Sequence, residues 1–149
     1  MTTAGSRHTA RITAELRLLC AAYGEQAVTW APDYSWVQVE GFRLPPGYNA
    51  TVTNVLVMIP DSYGYGVPYR ELYVDPGLRF WRGGAWVEIP HYFDDEKRFA
   101  PNPLVRARNW RYLCLHMKAW RPHENILTFL KQVELFLTNP FDPRWEQGG

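Results

Sequence analysis

Apolar residues recur at helical spacing only near the two ends of this chain. The first helical segment is predicted to begin at Arg7 and to end before Gly24, a residue type that commonly terminates helices. The second is predicted from Ile126 to Leu137, with Pro122 in its first turn. Short β-forming runs separated by turn formers lie between them. This order predicts an α+β domain with helices packed on an antiparallel sheet.

The central region contains four predicted strands and one hairpin. The strands are expected at 28–30, 36–42, 51–59 and 70–74. The run that begins at Val55 is apolar at consecutive positions, which is typical of a strand buried on both faces. Residues 80–89 predict a hairpin around Gly83-Gly84. Residues 90–110 are interpreted as a long loop that leads to a strand-like end at Cys114.

Length and composition limit the possible functions. The chain has 149 residues, which predicts a single domain over 1–149 with disordered ends at 1–6 and 146–149. The net charge of +1 argues against a nucleic-acid or membrane partner. Two cysteines, Cys20 and Cys114, are too few for the disulfide framework of a small secreted domain. Without a signal segment or a long apolar run, we expect a cytoplasmic protein with reduced thiols.

Neither a metal nor a cofactor is predicted from the sequence. The four histidines are scattered and have no second cysteine nearby, so they form no recognisable metal-binding pattern. The segment Gly64-Tyr65-Gly66 lacks the strand-to-helix context of a dinucleotide-binding turn. The chemistry is therefore expected to come from amino-acid side chains.

Three segments of the chain follow one another in a recognisable order. The first is the apolar run 55–60 with the proline- and tyrosine-rich turn 61–68. The second is Cys114-Leu115 followed by Trp120-Arg121-Pro122, and the third is the helical segment 126–137 with the turn 139–143. This order resembles the ubiquitin-conjugating enzyme family, which has a Cys-Leu…Trp-x-Pro signature and an Asp-Pro-containing turn beside the active site.

The chain departs from the animal and fungal pattern of that family in two places. The interval between Cys114 and Trp120 is shorter, and a strict His-Pro-Asn before the cysteine is missing. Its nearest equivalent, Ala100-Pro101-Asn102, ends twelve residues before Cys114. The sequence is more similar to the divergent bacterial branch, whose members are encoded beside ubiquitin-like, activating and deconjugating proteins. The resemblance implies a bacterial ubiquitin-like conjugation pathway that acts in antiphage defence.

The resemblance also implies a fold and an activity. The fold would have an N-terminal helix, an antiparallel four-stranded meander, a long active-site loop and a C-terminal crossing helix. Cys114 would accept a ubiquitin-like protein as a thioester from an activating enzyme and transfer it to an amine on a protein target. The thiolate is the reactive form of cysteine. Nearby basic residues either favour that form or belong to a solvated, partner-facing loop: Arg106, Arg108, Arg111, Lys118 and Arg121.

Other site residues follow from alignment with the family. Asn102 is the candidate donor to the oxyanion, although Pro101-Asn102-Pro103 also suits a simple turn, and Asn109 is the fallback donor. Asn139 and Asp142 are candidates for orienting the acceptor amine, with the alternative that both only shape a helix-ending turn. The candidate partner-binding residues are Arg7, Arg11 and Arg17, which would meet the activating enzyme, together with Tyr63 and Tyr65.

Three other functions are compatible with the same residues. The first is a non-catalytic adaptor of the same fold that binds a ubiquitin-like protein or its activating enzyme. The second is a thiol hydrolase that uses Cys114 with His116 or His91. The third is a binding module for peptide or glycan, suggested by an aromatic content of 15%.

Overall fold

The computed structural model describes residues 3–61, 63, 69, 71–93, 109–115 and 124–148, with side chains between residues 9 and 145 of these ranges. The predictions for Tyr65, Asn102, His116 and the Trp120-Arg121-Pro122 motif lie outside the described residues. The side chain of Arg7 also lies outside them.

Helix α1 spans Thr3–Tyr23 and ends at Gly24, as its periodicity predicts. It begins four residues before Arg7, and a 3-10 helix occupies Pro143–Gly148 at the other end. Helical backbone therefore extends into both of the ends that were predicted to be disordered. Once a helix is nucleated, each added residue gains a hydrogen bond at small cost, and this extension leaves no periodic signal in the sequence.

Within the described residues, six strands form one antiparallel sheet. They are β1 (Val28–Trp30), β2 (Trp36–Arg43), β3 (Val52–Met58), β4 (Glu71–Val74), β7 (Tyr92–Phe93) and β8 (Arg111–Cys114). Their order across the sheet is β1-β2-β3-β4-β8-β7, so the first four strands are neighbours in chain order. The four-stranded prediction omits β7 and β8. A two-residue strand such as β7 is too short to show an alternating pattern, and only its pairing with β8 defines it.

A separate hairpin contains β5 (Phe80–Arg82) and β6 (Ala85–Val87), and it confirms the hairpin predicted around Gly83-Gly84. Both turn glycines have positive φ angles, of 62° and 82°, which a two-residue hairpin turn requires. The indole rings of Trp81 and Trp86 pair across the hairpin with centroids 5.2 Å apart. Each of these tryptophans is 51% exposed, so the outward face of the hairpin is aromatic.

The sheet is apolar on both faces, as predicted for the run that begins at Val55. Val55 and Val57 are fully buried in the main core with the inward residues of α1 and of the second helix, α2 (Ile126–Thr138). Leu56, which points the other way, belongs to a smaller cluster with Tyr73 and Trp110. We call the side that bears this smaller cluster the outer face of the sheet.

Helix α2 confirms the periodicity between Ile126 and Leu137. Its N-terminal cap is Asn125, whose side-chain oxygen accepts hydrogen bonds from the backbone N–H groups of Leu127 and Thr128. The Thr128 hydroxyl accepts in turn from the Asn125 backbone N–H, which completes a capping box. This cap fixes the start of α2 after Asn125, whereas the sequence pattern placed it near Pro122.

The carboxylate of Glu15 joins α1 to two other segments. It is 5% exposed and accepts hydrogen bonds from the hydroxyls of Tyr63 at 2.5 Å and Tyr69 at 3.2 Å. It also accepts from the backbone N–H of Ile126 at 2.7 Å and forms an ion pair with Arg11 at 3.1 Å. We call these five residues the Glu15 junction. The junction holds α1, the tyrosine-rich turn and the start of α2 together.

Candidate active site around Cys114

Cys114 is the last residue of β8 and lies between β4 and β7. Its backbone N–H donates to the carbonyl of His91 at 2.7 Å, on the β7 side. On the other side Cys114 is directly opposite Glu71 in the register with β4. In an antiparallel sheet, the N–H and C=O groups of one residue point to the same neighbouring strand. For Cys114 that strand is β7, so its pair with Glu71 on β4 is a non-hydrogen-bonded pair. Side chains approach closest in such pairs, with Cβ atoms roughly 5 Å apart.

The Cys114 side chain lies on the outer face of the sheet. Leu113 and its partner Leu72 are fully buried in the main core, so their neighbours in each strand point outward. Cys114 is a half-buried cysteine that is in no disulfide. Four residues therefore share this part of the outer face, and we call them the Cys114 quartet: Glu71, Tyr73, Tyr112 and Cys114.

The quartet consists of two pairs. Tyr112 and Cys114 share a face of β8, and Glu71 and Tyr73 share a face of β4. The two tyrosine rings lie opposite each other with centroids 5.6 Å apart. The thiol and the carboxylate thus each have a tyrosine beside them on the same strand.

Both tyrosines of the quartet are neutral at physiological pH. Burial, followed by the neighbouring Cys114, raises the pKa of Tyr112 to about 12. Burial, followed by Glu71, raises the pKa of Tyr73 as well. A neutral tyrosine hydroxyl can donate a hydrogen bond, so Tyr112 is able to stabilise negative charge on the sulfur.

The sequence analysis missed Tyr112 and Glu71. Tyr112 precedes the cysteine by two positions, and residues with that spacing share a face of a strand, so the signal for it was present. Glu71 carries no such signal, because its position opposite Cys114 depends on pairing between strands that are far apart in the chain.

Among the described residues, the charged side chain directly opposite the thiol is the carboxylate of Glu71, whereas the sequence suggested a cluster of cations. Of the five basic residues proposed around Cys114, only Arg111 is described. It is three positions earlier in β8, hence on the opposite face, and its Nη1 donates to the carbonyl of Trp110 at 3.3 Å. Arg111 therefore does not face the sulfur. The other four lie outside the described residues.

His91 is adjacent to Cys114 along the backbone, but its ring points elsewhere. A regular strand would place the two side chains on one face, yet His91 has a left-handed backbone with φ of 62°, which breaks the strand. The ring packs edge-on against Phe136 of α2 with centroids 5.9 Å apart. Its Nε2 atom is buried and has no hydrogen-bond partner among the described residues. This arrangement gives no support to a Cys114–His91 pair.

Asn139 and Asp142 lie in the turn that follows α2. The backbone N–H of Asn139 donates to carbonyls in the last turn of the helix, and its carbonyl accepts from Trp145 Nε1 at 3.0 Å. The Asp142 carboxylate accepts from the backbone N–H and from the guanidinium of Arg144. These hydrogen bonds hold the pKa of Asp142 below its usual value. The described contacts thus show both residues shaping the turn, and the carboxylate of Asp142 is engaged by Arg144.

The candidate partner-binding residues have different surroundings. Tyr63, a predicted partner-binding residue, is fully buried in the Glu15 junction, so its side chain offers no surface to a partner. Arg11 is half-buried, and its Nη2 donates to the carbonyl of Glu124 at 2.7 Å. Arg17 is exposed and lines a groove of about 550 Å³ between α1 and β1, together with Trp30.

The described residues include neither a metal-binding cluster nor a membrane-spanning helix. No group of three or more His, Cys, Asp or Glu side chains within them is arranged to hold a metal ion. No helix in the described part of the chain is both long and apolar enough to cross a membrane.

An antiparallel sheet that packs against two helices, with a half-buried cysteine at a strand end, is compatible with the E2 class of conjugating proteins. Comparison with known families identifies the family: the model of Prokaryotic E2 family E matches residues 25–139. The chain belongs to this family, which confirms the resemblance to a divergent bacterial branch. The match extends from the 3-10 helix before β1 to the end of α2 and includes Cys114. No curated protein and no solved structure matches the chain.

Proposed function

We propose that this protein carries a ubiquitin-like protein as a thioester on Cys114 and transfers it to an amine on a protein target. The observation that carries this proposal is the position of Cys114. Its thiol, which is in no disulfide, ends a strand inside the region that matches the E2 family and lies on the outer face beside polar side chains. Such a thiol is accessible to the flexible C-terminus of another protein.

The proposed reaction has two acyl transfers. In the first, the Cys114 thiolate attacks the thioester carbonyl on the activating enzyme, a new C–S bond forms, and the enzyme's thiolate leaves. In the second, a neutral amine attacks the carbonyl on Cys114, a C–N bond forms, and the Cys114 thiolate leaves. One proton of the amine then goes to the sulfur, which restores the thiol. The Tyr112 hydroxyl is positioned to donate a hydrogen bond to the departing sulfur.

The remaining site residues enter the proposal through the family resemblance. Asn102 would donate to the oxyanion that forms at the carbonyl. Asn139, whose side chain is exposed, or Asp142 would orient the acceptor amine. Helix α1 would contact the activating enzyme, and Arg17 is an exposed basic side chain on that helix.

The experiment combines the purified chain with its activating enzyme, the ubiquitin-like protein and ATP. A covalent adduct that is lost on addition of a thiol reductant supports the thioester. Cys114→Ala should form no adduct, and Cys114→Ser should form an ester that resists the reductant. Cys20→Ser is the matched control, because Cys20 lies on α1 beside the groove, and this variant should be loaded like the natural protein.

If the activating enzyme becomes loaded but the natural chain does not, the carrier function is wrong. Stable binding of the unloaded chain to either partner would then identify it as a non-catalytic adaptor. The proposed cellular setting, a cytoplasmic conjugation pathway in antiphage defence, is tested by phage plaque counts on bacteria that carry the natural genes or the Cys114→Ala variant. Equal plaque counts would remove the defence role.

A further inference from the structure

Glu71 is the acidic side chain that faces the proposed thioester, and its position calls for an explanation. It is directly opposite Cys114 in a non-hydrogen-bonded pair, where the side chains of neighbouring strands come closest. Unlike the carboxylate of Glu15, it is exposed to solvent. In such a pair the two Cβ atoms are roughly 5 Å apart, so an exposed carboxylate here is accessible to a group that approaches the sulfur.

Tyr73 lies beside this carboxylate on the same strand. It is two positions after Glu71, so the two side chains share a face, and after burial the neighbouring Glu71 raises the pKa of Tyr73. The Tyr73 ring is 3% exposed and packs in the outer-face cluster with Leu56 and Trp110. A buried, packed ring thus lies next to an exposed carboxylate on the face that carries the thiol.

A carboxylate at this position suits the second acyl transfer. When a neutral amine attacks a thioester, positive charge develops on its nitrogen and negative charge on the carbonyl oxygen. A negative group beside the nitrogen stabilises that transition state and can take the proton that the nitrogen releases. Attack by a thiolate creates no positive charge, so the same carboxylate gives it no assistance.

From this geometry we propose that Glu71 is a catalytic residue that receives the incoming amine, stabilises the charge on its nitrogen and accepts one of its protons. The nitrogen keeps its other proton in the amide product, Cys114 leaves as a thiolate when the C–S bond breaks, and Glu71 passes the accepted proton to that sulfur. The proposal rests on the thioester function of Cys114. It assigns the acceptor a chemical class, a primary amine such as a lysine side chain, and assigns Tyr73 a positioning role.

The test uses one loaded thioester and two nucleophiles. The chain is loaded on Cys114, the activating enzyme is stopped, and discharge is followed with free lysine or with dithiothreitol. Glu71→Gln should slow discharge to lysine at least about tenfold, which is less than the roughly hundredfold minimum typical of a positioned proton acceptor because this carboxylate is exposed. Its discharge to dithiothreitol should be unchanged or faster. Glu71→Asp should restore part of the lysine rate because it keeps the charge.

Two further variants separate catalysis from structure. Glu40→Gln changes an exposed carboxylate on β2 and should leave both discharge rates unchanged. Tyr73→Phe should lower the rate with lysine less than Glu71→Gln does and should not affect dithiothreitol. Equal slowing with both nucleophiles, or no slowing with lysine, would overturn the role of Glu71. If the natural chain forms no thioester at all, the carrier function itself fails, and the role of Glu71 fails with it.

Discussion

Glu15 on α1 and Glu71 on β4 have the same side chain in opposite surroundings. Glu15 is buried and its carboxylate is occupied by two tyrosine hydroxyls, a backbone N–H and the guanidinium of Arg11. Glu71 is exposed, has one tyrosine beside it on the same strand and faces a thiol. A carboxylate whose acceptor positions are filled by its own protein holds elements together, whereas an accessible one can receive another molecule. The comparison separates a structural acid from a candidate catalytic one.

The largest expected effect is on the structural side of this comparison. Glu15→Ala leaves the hydroxyls of Tyr63 and Tyr69 and the N–H of Ile126 without their acceptor and removes the partner of Arg11. We expect the free energy of unfolding to fall by about 3 to 5 kcal/mol, as when one partner of a buried ion pair is removed. Denaturant titration measures the change. Glu134→Ala, at an exposed site on α2, is the control and should change it by less than about 0.5 kcal/mol.

A smaller effect is expected when one donor of the Glu15 junction is removed. Tyr63→Phe keeps the buried ring and its packing against Tyr69, at 4.2 Å between centroids, but removes the hydroxyl that donates to Glu15. The expected loss in the free energy of unfolding is about 1 to 2 kcal/mol. Tyr34→Phe, at a half-buried tyrosine outside the junction, is the matched control. Equal free energies of unfolding for these two variants would show that the junction does not account for the structural role of Glu15.

The contribution of Tyr112 to stability should change with pH only in the alkaline range. A tyrosine in the unfolded chain loses its proton at about pH 10, whereas the pKa of Tyr112 in the folded protein is raised to about 12. The folded state therefore binds more protons between these values, and stability present below about pH 10 is lost as the pH rises toward 12. Tyr112→Phe should reduce this loss by at most about 1 kcal/mol, since the hydroxyl is only half-buried. Denaturant midpoints of the natural protein and of Tyr112→Phe, measured across this pH range, test the prediction. If the midpoint falls equally with pH in both proteins, the prediction is contradicted.

The smallest expected effect sharpens the comparison. Glu71→Gln should change the free energy of unfolding by no more than about 0.5 kcal/mol, because the side chain is exposed. The same variant is expected to transfer its thioester to lysine at a lower rate. Thermal and denaturant unfolding of this variant, measured beside Glu15→Gln, give the contrast directly. A destabilisation by Glu71→Gln as large as that by Glu15→Gln would place both glutamates in the structural class.

Local patterns predicted much of the fold correctly. The spacing of apolar residues located α1 and α2, and the consecutive apolar run in β3 correctly indicated burial on both faces. The pair Gly83-Gly84 located the hairpin, because its turn needs positive φ angles that glycine adopts without strain. These features depend on residues that are close together in the chain, so a single sequence contains the information.

The same sequence selected Cys114 through its motif, and the chain belongs to an E2 family, but the surroundings of that cysteine were decided by tertiary structure. The pairing of β4 with β8 brings Glu71, 43 positions earlier in the numbering, directly opposite the thiol. The burial of Tyr63 depends on Glu15, which is 48 positions away. Local sequence specified which segments form helices and strands. Only the docking of distant segments determined which of two chemically identical carboxylates became buried and which remained accessible, because strand register and helix packing fix those neighbours.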